Sequence, residues 1–419
     1  MSSKYSSVKG MHDLLPPAID TWHYLEKIAH ETMARYGYAE LRTPIVEDTD
    51  LFKRSVGETS EIVGKEMYNF LDKGSRDIAM RPEGTAPAAR AYLEHSLHQK
   101  EPVTRWYYLG QMFRYERMKT GRTRQFWQLG VEVYGPPQAA QDAEVMELAV
   151  HFIERLGLTD VRLEINSLGD ETTRPAYLEK LKAHFAPHAD KMSEDAKSTL
   201  ALNPIRLLDS KEEALKDLIA QAPVMLDVLD DASKAHFDEV QRLLTLLGVP
   251  FTINPRLVRG LDYYTRTAFE LIARSDKLGT ASTVGGGGRY DRLIEQLGGP
   301  KIPAVGWAMG LDRLVICLGE KGAAEGPVLF ILPMDAAARD EALKLATKLR
   351  HDGLRVDIDA RAGSMQAQFK RAEHVKAQHV LVLGARELSE RKAKLKRLSD
   401  RVEKEVSLDE LSAHLTQPS

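Results

Sequence analysis

The chain has 419 residues, of which 43% are hydrophobic and 28% are charged. This length is too great for one compact core and predicts two or three domains, while the composition is that of an ordinary globular protein. The formal net charge of −3 excludes a protein that binds nucleic acid through overall positive charge, so any RNA contact must come from local basic patches.

Particular segments argue against two further classes of protein. The N-terminus has no apolar core of a signal peptide, and no stretch approaches the roughly 20 apolar residues that span a bilayer, so we expect a cytoplasmic protein without membrane contact. Cys317 is the only cysteine, which excludes an intrachain disulfide and fits a reducing compartment. Because Cys317 lies in the apolar run LVICLG, we expect a buried core thiol.

The first predicted element is a helix that begins after Pro16 and Pro17 and stops at Gly37. Its apolar residues fall near one face: Trp22, Leu25, Ile28, Met33 and Tyr36. A short strand is predicted at 38–42, and Pro44 then suits a strand end.

Segment 81–90, RPEGTAPAAR, is a turn rich in proline and glycine ahead of a helix predicted at 86–95. Glu83 or Thr85 in this turn can cap the helix. A carboxylate beside a hydroxyl can also bind an ammonium group, and the two roles are compatible.

Segment 111–135 predicts a β-hairpin, because two runs rich in aromatic and β-branched residues flank the polar loop MKTGRTR. In the second run Leu129, Val131 and Val133 alternate with glycine or polar residues at strand period. The polar face of this hairpin would carry Arg114, Glu116, Gln128 and Glu132. A half-buried sheet also has a polar face, but a fixed cation, a carboxamide and two carboxylates together favour a binding site.

A helix is predicted at 142–156 and a strand at 161–165, and the polar helical stretch from about 171 to 247 is interpreted as an insertion into the main sheet. Segment 257–270, LVRGLDYYTRTAFE, is predicted as a strand that crowds polar side chains between apolar ones: Arg259, Asp262, Tyr263, Tyr264 and Arg266. Such density indicates either an internal network or a binding site.

Glycines and an arginine mark the last part of the main domain. The run from Gly285 to Gly288 predicts either close approach of the backbone to a ligand or a tight turn into the next helix. It is not a P-loop, because no Gly-Lys-Ser/Thr follows. Segment 303–316, PAVGWAMGLDRLVI, predicts a strand that leads into a helix carrying Arg313, which could equally be a buried ion-pair partner.

A composition break at 320–326 predicts a linker to a small α/β domain. Strands and helices alternate there as in βαβ units, with strands at 328–332, 354–358 and 379–384 and helices at 335–350 and 365–378. The final helix is predicted to begin with a capping box formed by Ser407 and Glu410. The basic run that precedes it is either a solvated face or an RNA-facing patch.

Five stretches, in this order, resemble the histidyl branch of the class II aminoacyl-tRNA synthetases. They are RPEGT, FRYER with GRTRQF, RGLDYY, GGRYD and the strand–helix segment with Arg313. The first helix, the strand after it and Pro44 are similar to the family's dimer-interface motif. NPIRLLDSK resembles its insertion, which touches the tRNA acceptor arm, and the C-terminal domain resembles its anticodon-binding domain. Met118, Trp127 and Asp312 depart from the family's usual residues.

The resemblance implies a fold and an activity. The fold would be α/β, with an α+β catalytic domain at 1–325 on a mixed, mainly antiparallel sheet, a helical insertion at about 171–247, and an α/β anticodon-binding domain at 326–419. The activity would be ligation of L-histidine to tRNA(His) through histidyl-adenylate, with ATP as substrate and Mg²⁺ accompanying it. The protein would be a homodimer and would have no metal site of its own.

The resemblance also implies site residues. The catalytic set would be Arg259, Arg114 and Arg313. The histidine-binding set would be Glu83, Gly84, Thr85, Arg114, Gln128, Glu132, Arg259, Tyr263 and Tyr264, with Glu132 and Tyr264 on the imidazole nitrogens. The ATP-binding set would be Arg114, Glu116, Phe126 and Arg313, with Glu116 and Phe126 on the adenine.

Two other classes of protein compete with this interpretation. The regulatory subunit of ATP phosphoribosyltransferase shares the fold but typically lacks the C-terminal domain and much of the histidine site, and both are present here. An RNA-binding or stress-sensing module without chemistry could lose Arg259 or Arg313 freely, whereas this chain has both. RGLDYY argues against specificity for another amino acid.

Overall fold

The computed structural model describes residues 5–57, 60–210, 212–275, 277–322, 326–359, 361 and 363–416. The chain divides into two compact units, Met1–Gly322 and Ala323–Ser419. Part of the linker predicted at 320–326 lies outside the described residues. None of the helices in the described ranges has the length and hydropathy of a membrane-spanning segment.

The helices of the first unit are α1 (Ala18–Arg35), α2 (Thr49–Val56), α3 (Thr85–Glu94), α4 (Ala139–Arg155), α5 (Arg174–Phe185), α6 (Glu194–Leu202), α7 (Lys216–Gln221), α8 (Asp231–Leu246), α9 (Leu293–Gln296) and α10 (Leu311–Leu318). Its strands are β1 (Ala39–Glu40), β2 (Val46–Asp48), β3 (Tyr68–Leu71), β4 (Asp77–Met80), β5 (Thr104–Phe113), β6 (Gln125–Tyr134), β7 (Val161–Ser167), β8 (Phe251–Ile253), β9 (Thr265–Ser275), β10 (Gly279–Arg289) and β11 (Ala304–Gly310).

The first unit is built on an eight-stranded sheet in the order β1-β5-β6-β11-β10-β9-β7-β8. The end pairs β1–β5 and β7–β8 are parallel, and the pairs between them are antiparallel. The prediction of a mixed, mainly antiparallel sheet is therefore confirmed. Strands β2, β4 and β3 form a separate antiparallel sheet that the sequence did not predict.

One face of the large sheet packs against the amphipathic helices. Trp22, Leu25 and Met33 of α1 are buried in the main core, as their helical spacing predicts. The chain leaves α1 through Gly37 at φ 73°, a left-handed conformation that glycine adopts without steric cost. Cys317 is only half-buried at the margin of this core, so the prediction of a buried core thiol is wrong.

The other face of the sheet is covered as well. Because side chains alternate along β6, Glu132 and Tyr134 point away from Val131 and Val133. Tyr134 belongs to a second apolar cluster that includes residues of α3 and α9, among them Tyr92. Glu132, on the same face as Tyr134, is therefore shut off from water.

The predicted insertion at 171–247 packs in two ways. Residues such as Tyr177, Phe185 and Leu207 form a separate apolar cluster, as an inserted domain would. Helix α8 instead returns to the main core through Phe237, Val240 and Leu244, whose spacing places them on one helical face. The separately packed part therefore ends before α8.

In the second unit the helices are α11 (Ala336–His351), α12 (Met365–His374), α13 (Ala385–Glu390) and α14 (Leu411–Thr416). The strands are β12 (Leu329–Pro333), β13 (Val356–Ile358), β14 (His379–Leu383), β15 (Lys392–Arg397) and β16 (Glu403–Ser407). They form one sheet in the order β13-β12-β14-β15-β16. Strands β13, β12 and β14 are parallel, which confirms the predicted βαβ units.

The basic C-terminal run, for which no secondary structure was predicted, adds two antiparallel strands to this sheet. Ser407 ends β16 and α14 begins at Leu411, so the predicted capping box is wrong. On the exposed face of this strand pair, Lys394 and Lys396 lie 3.8 and 3.3 Å from the carboxylate of Glu403. This cross-strand pairing supports the solvated-face alternative for these two lysines.

Candidate active site

A cleft of about 590 Å³ opens on the first unit and is lined by parts of the chain far apart in sequence. Of the residues assigned above, those that line it are Glu83, Thr85, Arg114, Glu116, Phe126, Gln128, Arg259, Tyr263, Tyr264 and Arg313. Gly84 and Glu132 are buried and do not line the cleft.

Glu83 anchors one wall of the cleft at the start of α3. Its carboxylate accepts hydrogen bonds from the backbone N–H groups of Thr85 at 2.7 Å and Ala86 at 2.8 Å, so it caps the helix as expected. Burial raises the pKa of the Glu83 carboxyl. Gly84 lies against Tyr108, whose ring is 2.3 Å from the position of an added Cβ, so no larger residue fits there.

Arg114 and Glu116 lie in a loop and not on a strand, because β5 ends at Phe113. The prediction that both extend the polar face of the hairpin is therefore wrong. Arg114 is nevertheless held in place: its Nε donates to Pro82 O at 2.8 Å, and its Cζ lies 5.3 Å from the centroid of the Phe126 ring. A guanidinium and an aromatic face thus stand side by side in the cleft.

The tip of this loop bends back toward the cleft. Glu116 accepts a hydrogen bond from Arg122 Nη1 at 2.9 Å, and Gly121 adopts φ 70° at the turn. Arg313 of α10 donates from Nε to Gly121 O at 3.3 Å and from Nη1 to Thr283 O. Its partners among the described residues are carbonyl oxygens, so the alternative of a buried ion pair is wrong.

Gln128 and Glu132 project from the same face of β6, four residues apart. Gln128 reaches the cleft, and within the described chain its Oε1 has no hydrogen-bond partner. Glu132 lies deeper, where its Oε2 accepts a hydrogen bond from Tyr290 Oη. Burial raises the pKa of the Glu132 carboxyl to about 8.

The segment before β9 is irregular and not the predicted strand, which begins only at Thr265. Its polar residues divide between the two predicted alternatives, an internal network and a binding site. Arg259 lines the cleft with its Cζ 5.4 Å from the centroid of the Tyr264 ring. Asp262 instead faces the insertion, where it accepts from Asn203 Nδ2 at 2.9 Å and Arg206 Nη2 at 2.8 Å.

The glycine run from Gly285 to Gly288 lies within strand β10, so the prediction of a tight turn is wrong, and close approach to a ligand stays a prediction. A Cβ at Gly286 would lie 2.6 Å from Arg259 Nη1, and one at Gly287 would lie 2.0 Å from Gly306 O. Glycine therefore lets the guanidinium of Arg259 rest directly on the sheet.

Several residues that shape the site were not assigned from the sequence. Tyr290 bonds to Glu132, Glu270 binds Arg259, and Asp312 accepts a hydrogen bond at 2.8 Å from the backbone N–H of Trp127. Glu270 lies in RGLDYYTRTAFE and Tyr290 lies in GGRYD, two stretches from which other site residues were predicted or the family resemblance was drawn. Strand alternation alone did not indicate which of their side chains meet.

Comparison with known proteins identifies the family. The model of the family described as "Histidyl-tRNA synthetase" matches residues 10–314, and that described as "Anticodon binding domain" matches residues 314–417. A histidine–tRNA ligase of Anaeromyxobacter dehalogenans is 46% identical over 416 residues, which cover 99% of this chain and 100% of that relative. The chain belongs to the histidyl-tRNA synthetase family. It is a histidine–tRNA ligase.

A second relative and a solved structure support the same family assignment for this synthetase. A histidine–tRNA ligase of Sorangium cellulosum is 45% identical over 403 residues, which cover 96% of this chain and 94% of the relative. The structure of apo S. aureus histidyl-tRNA synthetase has a TM-score of 0.83 and 38% identity, and the match covers 99% of this chain and 100% of that one.

One fold relative bears on the regulatory-subunit alternative. A Bacillus halodurans structure titled "ATP phosphoribosyltransferase regulatory subunit/histidyl-tRNA synthetase" has a TM-score of 0.66 at 23% identity, covering 91% of this chain and 99% of that one. At that identity the likeness shows the fold alone. The family therefore rests on the matched models and the relatives near 45% identity.

Proposed function

We propose that the cleft activates histidine with ATP and then transfers the histidyl group to tRNA(His). The observation that carries this proposal is the convergence of Arg114, Arg259 and Arg313 in the cleft, with Glu132 buried beneath it. The cations suit a phosphate, and the buried carboxyl suits an imidazole.

The arginines would act on ATP. Attack of the histidine carboxylate on the α-phosphorus increases the charge on the phosphate oxygens, so catalysis is mainly positioning and electrostatic stabilisation. Arg114 and Arg259 would bind the α-phosphate, and Arg313 would bind ATP from the other side. Glu116 would read the adenine, which Phe126 would stack.

The remaining polar residues would hold histidine. Glu83 and Thr85 would bind the α-amino group beside Gly84, and Gln128 would orient the amino acid. Glu132 and Tyr264 would bond to the two imidazole nitrogens, with Tyr263 packed against Tyr264 at a ring separation of 4.7 Å. The Oε1 atoms of Gln128 and Glu132 support this assignment, because they are buried polar atoms without a hydrogen-bond partner among the described residues.

Mg²⁺ would enter with ATP. This ion usually takes most of its ligands from phosphates and water, with one or two carboxylates from the protein. The ion would neutralise part of the phosphate charge.

The two compact units would have different functions, catalysis and anticodon binding. Residues 1–325 would form the catalytic domain, with the insertion contacting the acceptor arm, and residues 326–419 would bind the anticodon. We place the protein in the cytoplasm, where its tRNA substrate is found.

A homodimer fits the small sheet of β2, β4 and β3. Val46 and Phe70 project from the same face of this sheet and are 39% and 48% exposed, which is unusual for large apolar side chains on one surface. A second copy of the chain would cover them. Sedimentation analysis of the parent and of a V46D/F70D variant tests this, and a monomeric parent would contradict it.

The test of the proposed site is histidine-dependent exchange of pyrophosphate into ATP, with the other amino acids as controls. Exchange with histidine alone that is lost in Arg259→Ala and Arg313→Ala variants supports the arginine roles. Unchanged exchange in either variant removes that arginine from the mechanism.

A further inference from the structure

Glu270 occupies a position between the arginines of the cleft. It projects from β9, where it pairs with Gly286 of β10. Its Oε1 accepts a hydrogen bond from Arg259 Nη1 at 2.6 Å, and its Oε2 accepts one from Thr283 Oγ1 at 3.0 Å. Both carboxylate oxygens are therefore engaged, and one of them holds a guanidinium.

Thr283 extends this connection to the second arginine. It lies at an irregularity in the pairing of β10 with β9, where the register shifts between Thr283 and Gly285. At such a bulge a backbone carbonyl can point out of the ladder. The Thr283 carbonyl accepts a hydrogen bond from Arg313 Nη1. Arg259 and Arg313 are thus joined through Glu270 and Thr283.

We propose that Glu270 and Thr283 are positioning residues that set the separation and orientation of Arg259 and Arg313 before ATP binds. This inference rests on the proposed roles of the two arginines at the phosphates. An arginine side chain has many rotamers, and a displacement of about 1 Å in a positioning group can lower a rate about a hundredfold. A carboxylate and a hydroxyl fixed on two paired strands remove that freedom.

Electrostatics support a role specific to the cleft. Arg114, Arg122 and Arg313 also line it, so cations converge there before any phosphate is present. These cations repel one another. Glu270 offsets the repulsion at Arg259, with which it forms an ion pair. The same carboxylate repels an incoming phosphate, so its presence does not favour ATP binding. We therefore expect its loss to lower kcat without raising KM for ATP.

The experiment uses four variants of the full-length chain in the pyrophosphate exchange assay, with ATP and histidine each varied. Thr283→Val removes the hydroxyl but keeps the backbone carbonyl that binds Arg313. Thr283→Ser restores a hydroxyl, and Glu270→Gln keeps the shape but removes the charge. The matched control is Thr267→Val, because Thr267 is buried on β9 and its Oγ1 has no partner in the described residues.

We expect Thr283→Val to lower kcat about ten- to hundredfold, with KM for histidine and for ATP within about twofold of the parent. Thr283→Ser recovers most of that loss, and Thr267→Val matches the parent. Glu270→Gln lowers kcat at least as much as Thr283→Val, with an unchanged or lower KM for ATP. Urea midpoints within error of the parent separate these effects from loss of fold.

Three results would overturn the proposal. Equal kcat values for Thr283→Val and Thr283→Ser would show that the hydroxyl has no role. An equal loss in Thr267→Val would assign the effect to general packing of the sheet. A Glu270→Gln enzyme whose only change is a higher Mg²⁺ requirement would assign this carboxylate to the ion. If Arg259→Ala abolishes exchange while the Glu270 and Thr283 variants keep the kcat of the parent, only the positioning inference fails, and the proposed roles of the arginines stand.

Discussion

Tyr290 donates a hydrogen bond from its hydroxyl to Oε2 of Glu132, and both side chains are buried. The second carboxyl oxygen, Oε1, has no hydrogen-bond partner among the described residues. Tyr290 thus fixes one half of the carboxyl, and the proposed imidazole would bond to the other half. A site built to bond such a group rejects analogues that lack it by roughly four to five orders of magnitude, because its own polar atoms would stay unpaired.

Glu132→Ala is therefore expected to weaken histidine binding selectively. KM for histidine in pyrophosphate exchange should rise by at least about tenfold, whereas KM for ATP should stay within about twofold. Glu239→Ala, at an exposed ion pair with Arg242, is the control and should leave both constants unchanged. If ATP affinity fell and histidine affinity held, Glu132 would not be the imidazole ligand.

The raised pKa of Glu132 predicts a pH dependence of stability. The carboxyl has an ordinary value near 4.5 when exposed and about 8 when buried here, so the folded state retains a proton that the unfolded state releases between these values. Its contribution to the free energy of unfolding is full below pH 4.5 and is lost as pH rises toward 8, by at most about 1.4 kcal/mol per pH unit.

Glu132→Gln removes this ionisation. Relative to the parent, the variant should gain stability as pH rises from 5 to 8. Urea denaturation at several pH values, analysed for the first cooperative transition, measures the difference. A stability difference that is constant with pH would contradict the raised pKa.

Arg259→Ala is expected to leave histidine and ATP binding measurable while it lowers the rate of adenylate formation by orders of magnitude. The reason is that the guanidinium would bind charge that grows on the α-phosphate only as the reaction proceeds. Single-turnover formation of adenylate measures that rate. Arg259→Lys keeps a positive charge but lacks the forked donors of a guanidinium. Its rate of adenylate formation should therefore lie between those of Arg259→Ala and the parent.

A buried ion pair below the site predicts a large effect on stability. Arg289 and Asp142 bond to each other with no exposed side-chain surface, and His236 of α8 lies 3.4 Å from Asp142. Asp142→Ala would remove the fully buried partner of Arg289 and leave Asp291, 3.1 Å from its Nη1, as the remaining carboxylate, and should cost up to about 3–5 kcal/mol in the free energy of unfolding. Urea titration measures this loss. The exposed pair formed by Arg242 and Glu239 is the comparison, and a similar loss in Glu239→Ala would contradict the reasoning.

Local patterns determined much of this protein. The spacing of Trp22, Leu25 and Met33 predicted α1 and its buried face, and the alternation around Val131 predicted β6. The order of the family's motifs predicted the fold class and the reaction. The helix and the strand depend on residues close together in the chain, where helix and strand periods act directly. The fold class and the reaction came instead from the resemblance to a known family.

The tertiary structure alone decided which of the predicted residues meet. Arg259 turns into the cleft while Asp262, three residues later, faces the insertion, and because the segment is irregular, no strand period indicates which surroundings each side chain meets. Glu132 is buried because helices cover the second face of the sheet, which a strand pattern cannot reveal. Glu270, Thr283 and Arg313 come together only when β9, β10 and α10 are assembled, since contacts between distant segments depend on packing and not on local period.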